Sequence, residues 1–163
     1  RRGPPSQAAP DGMNREQLAH LLRAVADAIG ESDILVIGSQ AILGSHDEFE
    51  LPEETTLSME ADLGFFDDPD EEKSDQIDGV VGEMSRFYES FGFYGHGVSV
   101  TTAVVPDGWR ERLVPLSSPM TGAARGWCLE PRLGHESRAG HATVVAESSG
   151  DVFAGHSPQP RLR

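Results

Sequence analysis

Residues 36–66 decide the fold of this 163-residue chain, and they read VIGSQAILGSHDEFELPEETTLSMEADLGFF. The apolar run at residues 34–37 is short, continuous and ended by Gly38, which is typical of a strand buried on both faces. Ser39 completes a Gly-Ser turn, and residues 40–44 predict a short helix immediately after it. The stretch therefore predicts a strand, a turn and a helix in close succession.

The second half of the stretch predicts another strand, over residues 57–63. Apolar and polar residues alternate there in the order LSMEADL. Because successive side chains of a strand point to opposite faces, Glu60 and Asp62 would lie on the same face. The alternatives are a site that uses both carboxylates and an edge strand whose polar face lies in water.

The remaining elements can be predicted from periodicity and turn residues. Residues 14–30 predict an amphipathic helix, capped by an Asn and ended by a Gly. Residues 75–90 predict a second helix, and the β-branched run at residues 98–105 predicts a strand that ends at a proline. Residues 110–116 predict a short strand or helical turn, and residues 127–131 predict a last strand.

We expect one domain, because 163 residues suffice for one core and are few for two. Residues 1–12 are rich in Pro and Gly and predict a disordered lead-in. The domain itself would span residues 13–131. Residues 132–163 lack a helical stripe and predict a poorly ordered tail.

The net charge of −14 is concentrated in one segment. Residues 47–89 contain sixteen acidic residues and only two basic ones, Lys73 and Arg86. Such a surface repels a phosphate backbone, so we expect no binding to duplex DNA.

No membrane span or secretory leader is visible, and the expected location is the cytoplasm. The single cysteine, Cys128, is interpreted as a small buried residue.

Both halves of the opening stretch contain residue types that bind phosphate or metal. A Gly-Ser turn between a strand and a helix brings backbone N–H groups to a phosphate, although such turns are common without a ligand. Two carboxylates at i and i+2 on one strand can share a hard divalent cation such as Mg²⁺. We interpret His46 and His96 as surface or turn histidines rather than ligands.

These residues resemble a known family. Gly38-Ser39 after an apolar strand, with Glu60-x-Asp62 on the next strand, looks like the signature of the nucleotidyltransferase superfamily of the polymerase-beta type. The segments GSQAILG, SMEADL, GFYGHGVSVTTAVVPDGWRERLV and GWCLEP are similar to an uncharacterised bacterial group related to AbiEii-type toxins of toxin–antitoxin systems. The resemblance covers about residues 13–131.

The resemblance implies an α/β (α+β) fold with a small mixed sheet flanked by helices. It also implies that Gly38 and Ser39 bind a nucleoside triphosphate, and that Glu60 and Asp62 bind Mg²⁺ and act in catalysis. A nucleotidyl group would then pass to an acceptor, RNA or protein, that the sequence does not identify. An antitoxin protein is the implied partner.

The sequence departs from the family pattern in two places. The predicted strand at residues 98–105 carries no acid, whereas the family has a third carboxylate on a later strand. The alternative is therefore a catalytically inactive scaffold or protein-interaction module. Secondly, residues 132–163 replace an expected Lys- and Arg-bearing helix, which suggests a shifted reading frame or a truncated variant. A second copy of the chain could cover the apolar surface that such a change exposes.

Overall fold

The described part of the chain forms one mixed five-stranded sheet with helices packed against it. A computed structural model describes residues 12–52, 55, 57–103 and 105–130. In chain order the elements are α1 (Arg15–Ile29), β1 (Asp33–Ile37), β2 (Glu60–Gly64), α2 (Glu72–Val81), α3 (Arg86–Phe91), β3 (Tyr94–Gly97), β4 (Leu113–Leu116) and β5 (Arg125–Leu129). The expected α+β class is confirmed. Apart from Gly12, the predicted lead-in and tail lie outside the described residues.

The strand order is β3-β2-β1-β5-β4, with β1 at the centre. Strand β1 runs antiparallel to β2 and parallel to β5. Strand β3 extends the sheet parallel to β2, and β4 closes the other edge antiparallel to β5. The edge position of β4 suits Pro115, because a proline cannot donate to a neighbouring strand on both sides. The apolar run predicted as a buried strand is thus confirmed as the central strand.

Helix α1 has the two end signals that its sequence predicts. The Asn14 side chain accepts a hydrogen bond from the Gln17 N–H at 2.8 Å, and the Gln17 side chain accepts one from the Asn14 N–H at 2.9 Å. Gly30 ends the helix with φ 83°, a left-handed conformation that glycine adopts readily. No helix among the described residues is long and apolar enough to cross a membrane.

The core lies between α1, α2 and one face of the sheet. Its members have no exposed surface and come from every layer: Leu18, Leu21, Leu22, Val25, Ile34, Val36, Ala61, Leu63, Ile77 and Val81. A side chain at Gly95 of β3 would meet Leu21 and Val81, so both helices cover the same face. Cys128 is also buried there, as expected, and burial raises the pKa of its thiol to about 12.

The predicted helix over residues 75–90 is wrong in its extent. It begins earlier, at Glu72, and it is broken into α2 and α3. Gly82 adopts an extended conformation and its N–H bonds the Asp78 carbonyl, which ends α2. The Ser85 hydroxyl then accepts the Tyr88 N–H at 3.2 Å and begins α3 as an N-cap. A glycine followed by a capping serine outweighs the apolar periodicity here.

The predicted strand over residues 98–105 is also wrong. The described residues of that segment form turns, and the third strand is β3, just before it. The Ala103 N–H bonds the Ser99 carbonyl at 2.8 Å, and the Ser99 and Thr101 hydroxyls bond each other at 2.7 Å. Short polar side chains that bond their own backbone compete with a strand ladder, and here they prevail over β-branching.

Candidate functional site

The two acids of the opening stretch lie together on one face of β2. Ala61 and Leu63 alternate with them and are fully buried against the helices, while Glu60 and Asp62 are half-buried on the opposite face. The predicted shared face is confirmed. The strand begins at Glu60 rather than Leu57, and its pairing with β3 starts at Glu60 opposite Tyr94.

Gly38 lies directly against one of these acids. Ile37 at the end of β1 pairs with Asp62 in register, so the Gly-Ser turn begins beside the carboxylate. A Cβ atom at Gly38 would lie only 2.8 Å from Asp62 Oδ2. The backbone there has φ 78° and ψ −161°, a region open essentially to glycine alone. The structure therefore brings together the two features that are each ambiguous in the sequence.

Ser39 begins the short 3₁₀ helix Ser39–Gly44, as predicted after the turn. It is half-buried, and its hydroxyl makes no hydrogen bond to another described residue. The next residue, Gln40, is buried, and its amide donates to the Ser58 carbonyl at 2.9 Å. Gln40 thereby ties the turn to the chain just before β2, while its own Oε1 has no partner in the described part of the chain.

The carboxylates of Glu60 and Asp62 repel each other electrostatically. Burial raises the pKa of Asp62 above its usual value, and the neighbouring Glu60 raises it further through its charge and through a hydrogen bond. The electrostatic interaction with His96 lowers the pKa of Asp62 and partly offsets these effects. Hydrogen bonding to Glu60 raises the pKa of the Tyr94 hydroxyl to about 12, helped by burial. A cation between the two acids would relieve this repulsion.

The neighbouring strand β3 contributes two polar side chains to the same face. Tyr94 pairs with Glu60 and His96 pairs with Asp62 in parallel register. The alternate residues are Gly95 and Gly97 because α2 packs closely on their side; a Cβ at Gly97 would collide with the Ser74 carbonyl. In the sequence this strand reads YGHG, with a glycine at every second position.

An acid beside the free edge of β3 fixes His96. The Asp78 carboxylate accepts the Gly97 N–H at 3.0 Å, and the same oxygen lies 3.0 Å from His96 Nδ1. An open cleft of about 340 Å³ runs along this edge, lined by Glu60, Asp78, Glu83, Met84, Tyr94, Gly95 and His96. Asp62 and Gly38 are not part of that lining. His96 was expected to be a surface or turn histidine; it is a surface residue, as expected, but it lies on strand β3 beside the acids rather than in a turn.

The donor set fits Mg²⁺ only if other ligands complete it. Among the described residues, no group of three or more His, Cys, Asp or Glu side chains is arranged to hold a metal ion. Two close carboxylates remain, and Mg²⁺ in proteins is commonly bound by one or two carboxylates together with substrate phosphates and water. Glu60 and Asp62 therefore fit a cation that arrives with a phosphate ligand better than one bound by protein alone.

Comparisons of the chain with protein-family models, with curated proteins and with solved structures gave no match.

Proposed function

We propose that the open face of β2 binds a nucleoside triphosphate together with Mg²⁺ and transfers its nucleotidyl group to an acceptor. The observation that carries this proposal is the approach of Gly38 to Asp62, with Glu60 beside it on the same face. A backbone that can approach closely, a serine hydroxyl with no hydrogen bond to another described residue, and two mutually repelling carboxylates suit a phosphate–metal complex. The resemblance to the nucleotidyltransferase superfamily supports the same conclusion.

Each residue would have a distinct part. The Gly38–Ser39 turn would bind phosphate oxygens through its backbone and hydroxyl groups, and Glu60 and Asp62 would hold the cation. Bound Mg²⁺ would supply charge stabilisation at the phosphoryl centre. The chain's own contribution is to hold the two carboxylates on a rigid strand, one of them directly beside the phosphate-binding turn. We place this activity in the cytoplasm, where nucleoside triphosphates are available.

The experiment is a thermal-unfolding series with each of the four ribonucleoside triphosphates, with and without Mg²⁺. A ligand that binds only the folded state raises the melting temperature. We expect a rise with nucleotide plus Mg²⁺, little rise with either alone, and no rise in Asp62→Asn. Asp70→Asn removes one acid from an exposed turn and is the matched control, which should keep the rise. No rise with any nucleotide in the native chain would contradict the proposal.

A second candidate is a nucleotide-binding scaffold that transfers nothing. The observation in its favour is that β3 brings a histidine, His96, and no acid to the position beside Asp62. This version predicts the same rise in melting temperature but no release of pyrophosphate and no labelled product.

A toxin role with an antitoxin partner depends on the resemblance alone. It is tested by co-expressing the product of the adjacent gene and asking whether the two proteins co-purify and whether growth inhibition is relieved.

A further inference from the structure

We propose that His96, held by Asp78, accepts the proton of the acceptor hydroxyl during nucleotidyl transfer. This inference rests on the proposed function and assigns a residue to the task that a third carboxylate performs in the family. The first observation is position. His96 is the register partner of Asp62 on the adjacent parallel strand, so both side chains leave the sheet on the same face.

The second observation is how the imidazole ring is held. Nδ1 lies 3.0 Å from Asp78 Oδ1, and that oxygen is itself fixed by the Gly97 N–H. With Nδ1 as the donor, Nε2 is the acceptor, and Nε2 makes no hydrogen bond to another described residue. A carboxylate that fixes the tautomer of a histidine and leaves its other nitrogen available is the arrangement of a general base.

The third observation is where His96 stands relative to the acids. Glu60, Asp62 and His96 do not converge as a three-ligand metal group in the described structure. His96 instead lies where two open clefts meet. One cleft contains Glu60 and Tyr94, and the other runs along α2 and residues 97–103. The imidazole is thus beside the cation site and reachable by a second substrate, as a base for an acceptor must be.

The acceptor oxygen forms a bond to the α-phosphorus of the nucleotide, and the bond from that phosphorus to the bridging oxygen of the leaving group breaks. Pyrophosphate departs with the electron pair of that bond. The proton of the acceptor hydroxyl passes to Nε2 of His96, and Asp78 stabilises the resulting imidazolium. Asp78 acts through His96 and is a positioning residue.

The test measures pyrophosphate release and transfer of label from α-³²P-labelled nucleoside triphosphates, with water and total RNA as acceptors. We expect His96→Gln to lower kcat by about 100-fold or more, the usual contribution of a general base. The KM for nucleotide and the rise in melting temperature with Mg²⁺ and nucleotide should stay within about twofold of the native chain. Asp78→Asn should lower kcat in the same way, and Asp78→Glu should restore part of it.

The control is His46→Gln. His46 is also a partly exposed histidine beside an acid, 3.7 Å from Glu50, but it lies in the turn after the Ser39–Gly44 helix and not on a strand. It should leave kcat unchanged. A kcat in His96→Gln within threefold of the native value would overturn the proposal. A native chain that binds Mg²⁺ and nucleotide but releases no pyrophosphate would also overturn it, while the proposed binding would stand. A native chain without any rise in melting temperature would instead overturn the proposed function itself.

Discussion

The two faces of β2 differ in almost every respect, although their residues alternate along five positions. On the helix-covered face, Ala61 and Leu63 have no exposed surface and belong to the core. On the other face, Glu60 and Asp62 are half-buried, and the repulsion between them raises the pKa of Asp62 beyond the effect of its burial. The comparison teaches that most of the packing that stabilises β2 lies on one face, while the groups proposed for chemistry lie on the other, one strand thickness away.

The largest expected effect is on the covered face. Leu63→Ala should lower the free energy of unfolding by about 2–5 kcal/mol, because a fully buried leucine leaves a cavity when truncated. Denaturant unfolding at neutral pH measures this loss. Leu57→Ala is the control, since Leu57 is 54 % exposed and its truncation should change stability by less than about 0.5 kcal/mol. Equal losses for the two variants would mean that Leu63 is not part of the core.

A smaller loss is expected where the turn meets the open face. Gly38→Ala should cost about 1–3 kcal/mol, because the new Cβ would occupy a glycine-only conformation and press on Asp62 Oδ2. Gly30→Ala is the matched control: it has a similar positive φ but no atom within 4 Å of the new Cβ, so it should cost about 1 kcal/mol. Unfolding free energies that rank Gly30→Ala above Gly38→Ala would contradict the close approach.

The smallest expected effect is a gain in stability, not a loss, on substitution of Asp62. An acid with a raised pKa binds its proton more tightly in the folded state, so the fold loses stability as pH rises from the usual value of 3.8 through the raised value. Asp62→Asn removes this penalty and should make the ligand-free protein more stable at neutral pH. The gain should disappear below pH 3.8, where the Asp62 carboxyl is protonated and uncharged in both the folded and the unfolded state. Thermal unfolding across pH measures it, and a destabilised variant at neutral pH would contradict the account of the site.

Much of the fold could be predicted from sequence because local signals and packing agree there. The capping residues of α1, the apolar run of β1 and the alternation around Glu60 all act within a few residues, and the structure confirms each of them. The errors occurred where side chains bond their own backbone. Ser85 begins a new helix, and Ser99 closes a turn, in segments whose periodicity or β-branching indicated otherwise.

Only part of the candidate site could be predicted from the sequence. Gly38 and Asp62 are 24 positions apart, and only the antiparallel register of β1 and β2 shows that they touch. The contribution of β3 could not be predicted, because His96 reaches the site through strand pairing and is held by Asp78 from a helix 18 residues earlier. Long-range pairing of this kind has no local signal.

The most direct test of the central claim is a crystal structure with Mg²⁺ and a nucleoside triphosphate analogue whose α,β-bridging oxygen is replaced by a methylene group. The account predicts one cation ligated by Glu60 and Asp62, with phosphate oxygens bonded at Gly38 and Ser39. Phosphate bound elsewhere, or an open β2 face without ligand at saturating concentration, would contradict it.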